Sequence, residues 1–552
     1  MFIFLKVVLY TLYDLFRYNV NLLVKKKDNQ SYFKKLNKIN NKILNRKELN
    51  KKKILVASFV HQYGYIYTEC LIANHLSNIL NAKVYGLMDH KDKTTESFFN
   101  SFNFFKNFFL TKNNLFLCIV NLINTFKIFK KFRNFNDFIN FTYKGVDLGK
   151  IIYDHYIRST GNPSPDKLDY KFLYFLNESL LIYSQVEKIF DKNKFDYMVM
   201  SERQFIPSMI IFQMALIKKI KIIARVAGPK KIGVYMYKSI SQKFYAEVKV
   251  NKTLIEKYIN NKNRKKYISN GSKIVKSILY DKRQNFDYNI SKQKNGQLIK
   301  FDKDQNKFFK ILNLDKKNPT YFIFSHNLLD GNLSGKSIFI YKNYLSWLRE
   351  TLKCLEKLDD NINWILREHP STYGFSKIST NLLKEYKKII KVNRKNIKIF
   401  PNNFNRAIIP KVADAIVTLG STSGLEYSCL KIPCITSAGI FYSDNGFTIE
   451  YKSKSQYEYY LRNLTKILAK NKNKLKSSRA IINYYLIYEI MRFDHPLLFN
   501  FDITRNMNVD NFMKQIFKLN KKMNLNKYYK FERYLKYQID NNKLHFINEE
   551  KN

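Results

Sequence analysis

The sequence is poor in the residues that mark disulfide scaffolds, fibrous chains and low-complexity chains. It has 5 cysteines, 10 prolines and 16 glycines among 552 residues. No two cysteines form a CxxC motif, and no histidine stands at zinc-ligand spacing from a cysteine. We therefore expect reduced thiols and no structural metal site. Apolar residues make up 45% and charged residues 26%, which is typical of a globular chain rather than a collagen-like or disordered one.

Acidic residues are also scarce, with 44 Asp and Glu against 97 Lys and Arg and a net charge of +53. Such a surplus is found in nucleic-acid binders, in proteins held on anionic lipid and in enzymes of phosphorylated substrates. The abundance of Lys, Asn, Ile, Phe and Tyr also follows from AT-rich codon usage, which accounts for most of the surplus. Because aromatic RNP strands, zinc fingers and helix-turn-helix patterns are lacking, no nucleic-acid partner is expected.

No uninterrupted hydrophobic run is long enough to span a bilayer. Residues 1–17 are apolar, but Lys6, Asp14 and Arg17 interrupt them, whereas a spanning helix needs about 20 nearly uncharged residues. We expect an amphipathic helix followed by a basic linker. The Phe-rich stretch 98–135 is a second candidate for membrane attachment, or a helical hairpin packed on the core. The expected location is cytoplasmic, peripheral at the inner face of the plasma membrane, with an anionic membrane surface as a candidate partner.

Short apolar strands alternate with helical patterns in two series, which predicts an α/β fold. The first series has strands at 53–60, 82–88, 195–200 and 220–226, and the second has strands at 320–325, 363–367, 397–400, 415–419 and 434–436. We expect two Rossmann-like domains facing a cleft, with helical N- and C-terminal extensions. The predicted segments are an amphipathic helix and basic linker at 1–50, an acceptor domain with a helical insertion at 51–310, a donor domain at 311–475 and a basic helical extension at 476–552.

Polar residues follow two strands of the second series. Arg367, Glu368, His369 and Pro370 come at the end of one strand, and ligands of open α/β sheets collect at such ends. After the next such strand come Gly420, Ser421, Thr422, Ser423, Gly424 and Glu426, where a strand turns into a helix whose N–H groups can bind an anion. The alternatives are a strand-ending His-Pro turn, a helix N-cap and a first-turn acid. Both motifs in one domain favour a nucleotide-phosphate site.

The same residues carry a family resemblance. The chain resembles bacterial capsule and surface-polysaccharide biosynthesis proteins, including the capsular Kdo transferases of the glycosyltransferase-B fold, in segments 324–330, 339–347, 363–370, 420–426 and 442–447, and more loosely in 145–149 and 152–158. The resemblance implies that His369 and Ser421 to Ser423 bind the donor's nucleotide phosphate. It further implies a glycosyltransferase that moves a sugar from a nucleotide-activated donor to a growing capsule, surface polysaccharide or lipid-linked acceptor.

An inverting transferase needs a general base for the acceptor hydroxyl. Glu202, which follows a strand end, is the first candidate, His61 the second, and Asp330, from the donor domain, the third. A retaining mechanism would need no such base. Asp154 and Arg158 lie four residues apart on a helix and are interpreted as a surface ion pair. No DxD pair stands at a strand end, so we expect no catalytic metal and no cofactor, the nucleotide sugar being a substrate.

Other functions remain compatible with the sequence. The same fold serves polyol-phosphate transfer and nucleotide-sugar epimerisation, which would use the same anion site. A non-enzymatic nucleic-acid-binding protein and a catalytically inactive scaffold of a polysaccharide assembly complex are further alternatives. The sugar, the acceptor, the stereochemical outcome and the oligomeric state are not determined by the sequence.

Overall fold

The computed structural model describes most of the chain. The described residues are 3–13, 30–43, 52–89, 92–110, 115–226, 231–243, 249–280, 304–331, 333–334, 340–369, 382–390, 394–401, 404, 406–499, 508–541 and 543. Pro370, one of the predicted site residues, lies outside them.

Fourteen strands are found in the described part of the chain. They are β1 (Lys53–Ala57), β2 (Lys83–Asp89), β3 (Lys106–Leu110), β4 (Tyr197–Met200), β5 (Lys221–Arg225), β6 (Lys231–Ile232), β7 (Val234–Tyr237), β8 (Thr320–Phe324), β9 (Asn363–Arg367), β10 (Ile397–Ile399), β11 (Ala415–Thr418), β12 (Cys434–Ser437), β13 (Ile449–Tyr451) and β14 (Phe493–Asp494).

The α-helices of the same residues alternate with these strands over much of the chain. They are α1 (3–13), α2 (Gln30–Ile43), α3 (Tyr63–Leu80), α4 (Lys93–Ser101), α5 (Leu115–Phe129), α6 (Phe135–Ile139), α7 (Leu148–Thr160), α8 (Tyr170–Lys192), α9 (Ser208–Ile217), α10 (Lys252–Ile259), α11 (Arg264–Tyr280), α12 (Gln305–Leu312), α13 (Tyr344–Leu355), α14 (Leu382–Ile389), α15 (Ile409–Val412), α16 (Thr422–Cys429), α17 (Lys454–Arg462), α18 (Leu464–Asn471), α19 (Ser477–Tyr485), α20 (Val509–Lys521) and α21 (Leu525–Asp540).

The chain divides into two compact units. Unit 1 comprises 1–156, 166–248 and 489–552, and unit 2 comprises 157–165 and 249–488. The boundary therefore falls at 248/249 rather than near 310. The segment 476–552 is not a separate extension, because its part from 489 onward belongs to unit 1. The reason is packing: Phe512 and Ile516 of α20 and Leu535 of α21 are buried in the same core as Ile54 of β1.

The sheet of unit 1 has the strand order β3-β2-β1-β4-β5-β7. Its strands are parallel except β7, which runs antiparallel to β5. Four of the five residues of β1 are buried, as expected of a parallel strand covered on both faces. The chain builds outward from β1 in one direction and then continues from β4 in the other, so the switch point of this sheet lies between β1 and β4.

The sheet of unit 2 has the order β10-β9-β8-β11-β12-β13, and all its pairs are parallel. In order of appearance this is 3-2-1-4-5-6, the order of the doubly wound Rossmann fold, whose switch point here lies between β8 and β11. The predicted α/β class with two Rossmann-like units is thereby confirmed, and β9 has the bounds that the sequence predicts.

Three local predictions were wrong. The basic linker contains α2, which buries Phe33 and Leu36 in the core of unit 1. The Phe-rich stretch is no helical hairpin, because strand β3 lies between α4 and α5. Asp154 is fully buried in α7, so it does not belong to a surface ion pair. None of the helices in the described ranges combines the length and the apolar character needed to cross a membrane.

Candidate functional site

The switch point of unit 2 brings the ends of three strands to one register. Phe324 at the end of β8 pairs with Arg367 of β9 on one side and with Thr418 of β11 on the other. Two residues beyond these three positions stand His326, His369 and Gly420. The strand-end motifs predicted from the sequence therefore lie at one edge of the sheet, on either side of the chain that leaves β8.

His326 is the residue that the sequence reasoning missed. Its Nε2 accepts a hydrogen bond from the backbone N–H of Gly420 at 3.2 Å and lies 3.4 Å from Oγ1 of Thr418. Its ring is stacked on Tyr344, with centroids 4.3 Å apart and planes within 7°. The available signal was its position directly after a strand, the same signal that selected His369.

The glycine-rich loop after β11 opens α16 with Ser421 at the N-cap. The Ser421 side chain makes no capping hydrogen bond to the helix; its Oγ instead accepts one from Oγ1 of Thr418 at 3.1 Å. Thr422 is exposed, whereas Gly420, Ser421 and Ser423 are half-buried. At a helix N-terminus without a side-chain cap, backbone N–H groups and the positive end of the helix dipole are available to bind an anion.

Close packing behind the loop requires its glycines. A Cβ on Gly424 would lie 2.2 Å from the hydroxyl of Tyr442, and one on Gly420 would lie 2.7 Å from Cγ2 of Ile440. The Tyr442 hydroxyl donates to the carbonyl of Ser421 at 2.7 Å. The loop is therefore held against the segment after β12 at a distance that no side chain permits.

Arg367 supplies buried positive charge at the end of β9. Its guanidinium carbon lies 5.2 Å from the ring centre of Phe324 and 5.5 Å from that of Phe400, an arrangement that stabilises the cation in the sheet edge. Glu368 and His369 follow it and are half-buried. This part of the predicted phosphate site thus combines a guanidinium with an imidazole at one strand end.

The two remaining predicted residues of unit 2 have other surroundings. Glu426 is buried, and its Oε2 lies 3.4 Å from Nη1 of Arg406, which is also largely buried. Its carboxylate is thus already paired, and contact with a ribose hydroxyl stays a prediction. Asp330 is half-buried in the turn after β8, where its backbone N–H donates to the carbonyl of Asn327 at 3.1 Å.

In unit 1, His61 lies between two carboxylates beyond the end of β1. Its Nδ1 is 2.7 Å from Oδ2 of Asp92, and its Nε2 is 3.6 Å from Oδ2 of Asp89. The imidazole is 54% exposed, whereas Asp92 is buried. Burial would raise the pKa of Asp92, but hydrogen bonds from His61 and Thr95 and the charge of His61 outweigh it and lower that pKa to about 2. The pair has the geometry of an imidazole oriented by a carboxylate.

Glu202, the first candidate for the base, closes the turn after β4. Its Oε1 accepts the backbone N–H groups of Arg203 at 2.9 Å and Gln204 at 2.7 Å. At the same switch point Oε1 of the buried Glu69 accepts the N–H of Ser201 at 2.7 Å. Burial raises the pKa of Glu69 to about 7, against this hydrogen bond and the charge of Arg225.

The described residues contain no group of three or more His, Cys, Asp or Glu side chains arranged to hold a metal ion. The edge of unit 2 brings together a helix N-terminus, hydroxyls, a guanidinium and the imidazole of His369, which are the kinds of group that can bind an anion. What unit 1 offers is an exposed imidazole that can exchange a proton while Asp92 fixes its ring.

Comparisons with known proteins yield fold likenesses only. No protein-family model and no curated protein matches the sequence. Solved structures similar to the chain include two KpsC proteins from Thermosulfurimonas dismutans. The β-Kdo 2,7 transferase is 13% identical at a TM-score of 0.33, and the match covers 61% of this chain and 89% of that one. The β-Kdo 2,4 transferase is 11% identical at a TM-score of 0.33, and the match covers 58% of this chain and 87% of that one. UDP-GlcNAc 2-epimerase of Methanocaldococcus jannaschii is 15% identical at TM-score 0.29, covering 78% and 97%. Two of these structures are Kdo transferases, the group that the sequence motifs resemble.

Proposed function

We propose that the protein is a glycosyltransferase that uses a nucleotide-activated sugar, binds the donor's phosphates at the switch point of unit 2, and builds a capsule or other surface polysaccharide. The observation that carries the proposal is the common register of His326, His369 and Gly420 at the edge where Rossmann-like sheets bind nucleotides. The resemblance of the sequence motifs to capsule transferases supports the choice of sugar chemistry.

The chemistry follows from charge. When the sugar leaves its donor, negative charge develops on the phosphate oxygen, and fixed dipoles and cations that face this oxygen lower the barrier. N–H groups at the start of α16, the Ser421 to Ser423 hydroxyls, Arg367 and His369 supply such groups. The strand ends and the packed glycines hold the backbone of these groups in place.

For an inverting reaction we propose His61 as the base, ahead of Glu202 and Asp330. Asp92 fixes the ring through Nδ1, so Nε2 is the atom that takes the acceptor proton, and Asp89 stabilises the imidazolium that results. Oε1 of the Glu202 carboxylate already accepts two backbone N–H groups and so holds the turn after β4. Unit 1 would then bind the acceptor.

The proposal is tested by screening CMP-, UDP- and CDP-linked donors by thermal shift, since a ligand that binds the native state raises its melting temperature. Calorimetry then compares the wild type with His369→Ala and with Ser423→Ala. We expect one nucleotide class to bind and both variants to lose at least about tenfold in affinity, the equivalent of one hydrogen bond to a charged group. Unchanged affinity in both variants would refute the assignment of the site.

The product separates transfer from the related reactions. Release of the free nucleotide only when a glycan or glycolipid acceptor is present supports glycosyl transfer. An isomerised sugar still attached to its nucleotide would instead indicate an epimerase, and a polyol phosphate joined to the acceptor would indicate a polyol-phosphate transferase. Steeply salt-dependent binding to DNA or RNA without any donor binding would favour a nucleic-acid-binding protein.

A further inference from the structure

The N-terminal helix of unit 1 is apolar on two sides. Its inner side is packed: Val7 is fully buried, and Tyr10 makes edge-to-face ring contacts with Tyr174 at 4.9 Å and with Tyr170 at 5.8 Å. Its outer side carries Leu5, Leu9 and Leu12 at spacings of four and three residues, with exposed fractions of 56%, 57% and 42%. A row of exposed leucines along one helix is costly in water.

The outer side of α5 continues this surface. α1 and α5 are in contact through Phe4 and Phe126, whose ring centres are 5.4 Å apart. Among the described side chains of α5, the exposed large hydrophobic ones are Val120 and Ile123, at 43% and 49%. We call the exposed side chains of Leu5, Leu9, Leu12, Val120 and Ile123 the apolar face; it joins the two segments that the sequence singled out.

Four cations, which we call the basic end, lie beside the apolar face. Lys127 follows Val120 and Ile123 along the same side of α5, at i, i+3 and i+7, and Lys130, Lys131 and Arg133 come next; all four cations are exposed. The ammonium of Lys130 lies 4.7 Å from the ring centre of Phe126. Exposed apolar side chains with cations beside them are typical of segments that lie in a membrane interface.

A cavity of about 790 Å³ opens at this basic end. Ile3 of α1 and a cluster of phenylalanines line it, including Phe129 and Phe132. Three cations, Lys130, Arg133 and Lys167, stand at the same cavity against one carboxylate, that of Asp166. An aromatic pocket with a cationic rim is suited to a phosphate headgroup with its hydrocarbon below it.

We propose that the apolar face and its basic end dock unit 1 on the surface of an anionic phospholipid bilayer. The leucines and Val120 would enter the headgroup boundary, while the cations contact lipid phosphates. Charge argues against a second copy of the chain, because association would bring together two proteins that each carry a net charge of +53. The proposal is independent of the reaction that the protein catalyses.

The test is vesicle flotation of the full chain without any donor. We expect co-flotation with vesicles of phosphatidylcholine and phosphatidylglycerol, little with phosphatidylcholine alone, and release by salt. Leu5→Asp with Leu9→Asp is expected to lower the partition constant at least about tenfold. Leu525→Asp, at the start of α21 and with an exposed fraction of 50%, is the matched control and is expected to bind like the wild type.

A second pair of variants tests the charges. Lys127→Gln with Lys131→Gln is expected to weaken binding to the anionic vesicles about 25-fold, since each cation near such a surface contributes about fivefold. Lys353→Gln in unit 2 is the control. Equal flotation of the wild type and the Leu5→Asp, Leu9→Asp variant, or no flotation of the wild type, would overturn the proposal. So would a dimer in light scattering that the same leucine variant dissociates, which would assign the face to a second copy.

Discussion

The backbone N–H of Gly420 donates to Nε2 of His326 over 3.2 Å, which links the ends of two neighbouring strands at the switch point of unit 2. Because Nε2 acts as the acceptor, the proton of the neutral ring belongs to Nδ1. The imidazole thus holds Gly420, the first residue of the glycine-rich loop, in place from the side of β8.

Replacing His326 by Phe is expected to keep the stacking on Tyr344 but to leave the Gly420 N–H without its acceptor. The free energy of unfolding should fall by about 1–3 kcal/mol, the cost of an unsatisfied buried donor, and donor binding should weaken with it. Urea unfolding and calorimetry measure the two effects. His155→Phe is the control, since Nδ1 of His155 also accepts a backbone N–H, that of Ile206, but in unit 1. Equal loss of donor affinity in both variants would contradict the prediction.

Gly424→Ala is expected to destabilise unit 2 by about 1–3 kcal/mol through overpacking, because its Cβ meets the Tyr442 hydroxyl. Tyr442→Phe alone should cost about 1 kcal/mol for the lost hydrogen bond to Ser421. The double variant should be more stable than the sum of both losses predicts, because removing the hydroxyl also removes the shortest contact of the added Cβ. Chemical denaturation of all four proteins gives the coupling energy; strict additivity would show that the clash is relieved elsewhere.

The base is identified by the transfer rates of three variants. His61→Asn is expected to lower kcat about 10²- to 10⁴-fold. Asp92→Asn should lower it less and alter its pH profile, because the amide keeps the cap of α4 but no longer stabilises the imidazolium. Glu202→Gln should retain most activity. A loss confined to Glu202→Gln would reverse the order of the two candidates, and normal rates in both it and His61→Asn would favour Asp330 or a retaining mechanism.

Glu69 is expected to make unit 1 less stable as the pH rises. Its pKa is about 7 in the fold against 4.5 for the ordinary group. The contribution of Glu69 to the free energy of unfolding is therefore fully present below pH 4.5 and is lost as the pH rises to about 7. Glu69→Gln keeps an oxygen for the Ser201 N–H and should be more stable than the wild type by about 3 kcal/mol above pH 7. Thermal unfolding across this range tests it: the difference should vanish near pH 4.5, and a difference independent of pH would contradict the assignment.

Two buried imidazoles are expected to have the opposite effect and to make unit 1 less stable as the pH falls. Nε2 of His75 and Nε2 of His495 are 2.9 Å apart, and Nδ1 of His75 is 3.2 Å from the Glu532 carboxylate. One proton fits between the two rings, so further protonation sets two N–H groups face to face. Burial lowers the pKa of both rings below 6.5.

Unit 1 should therefore lose stability as the pH falls below 6.5, because the unfolded chain takes up protons that the fold excludes. His495→Phe should be less stable at neutral pH, since the N–H of Leu497 loses its acceptor, but it should show a flatter decline toward about pH 5. Thermal midpoints across this range measure the slopes, and equal slopes in both proteins would count against the histidine pair.

The elements that local pattern specifies were predicted well, and the rest depended on distant contacts. β9 is an apolar run between turn residues, and its bounds match the prediction. α2 stands in a Lys- and Asn-rich segment that reads as a linker, and only burial of Phe33 and Leu36 in unit 1 explains why it is ordered as a helix. The pairing of β3 with β2 likewise has no signal within the Phe-rich stretch itself.

The candidate site shows the same division. The strand-end rule found His369 and the glycine loop, and applied once more it would have found His326. The link between His61 and Asp92 joins residues 31 positions apart, which follows from the pairing of β1 with β2 and not from spacing. The burial of Asp154 could not be predicted, because an acidic residue four positions before a basic one has the same sequence pattern on a buried and on an exposed helix face.

The chain leaves unit 1 at residue 248 and returns to it at 489, and this order bears on how the protein is made. On the ribosome the strands of the first sheet emerge before residues 249–488 of unit 2, yet Phe512, Ile516 and Leu535, which belong to the hydrophobic core around β1, are translated after them. Unit 2 is encoded almost without interruption between them. Unit 1 can therefore complete its core only after unit 2 has been synthesised, and until then its apolar surface is open to aggregation.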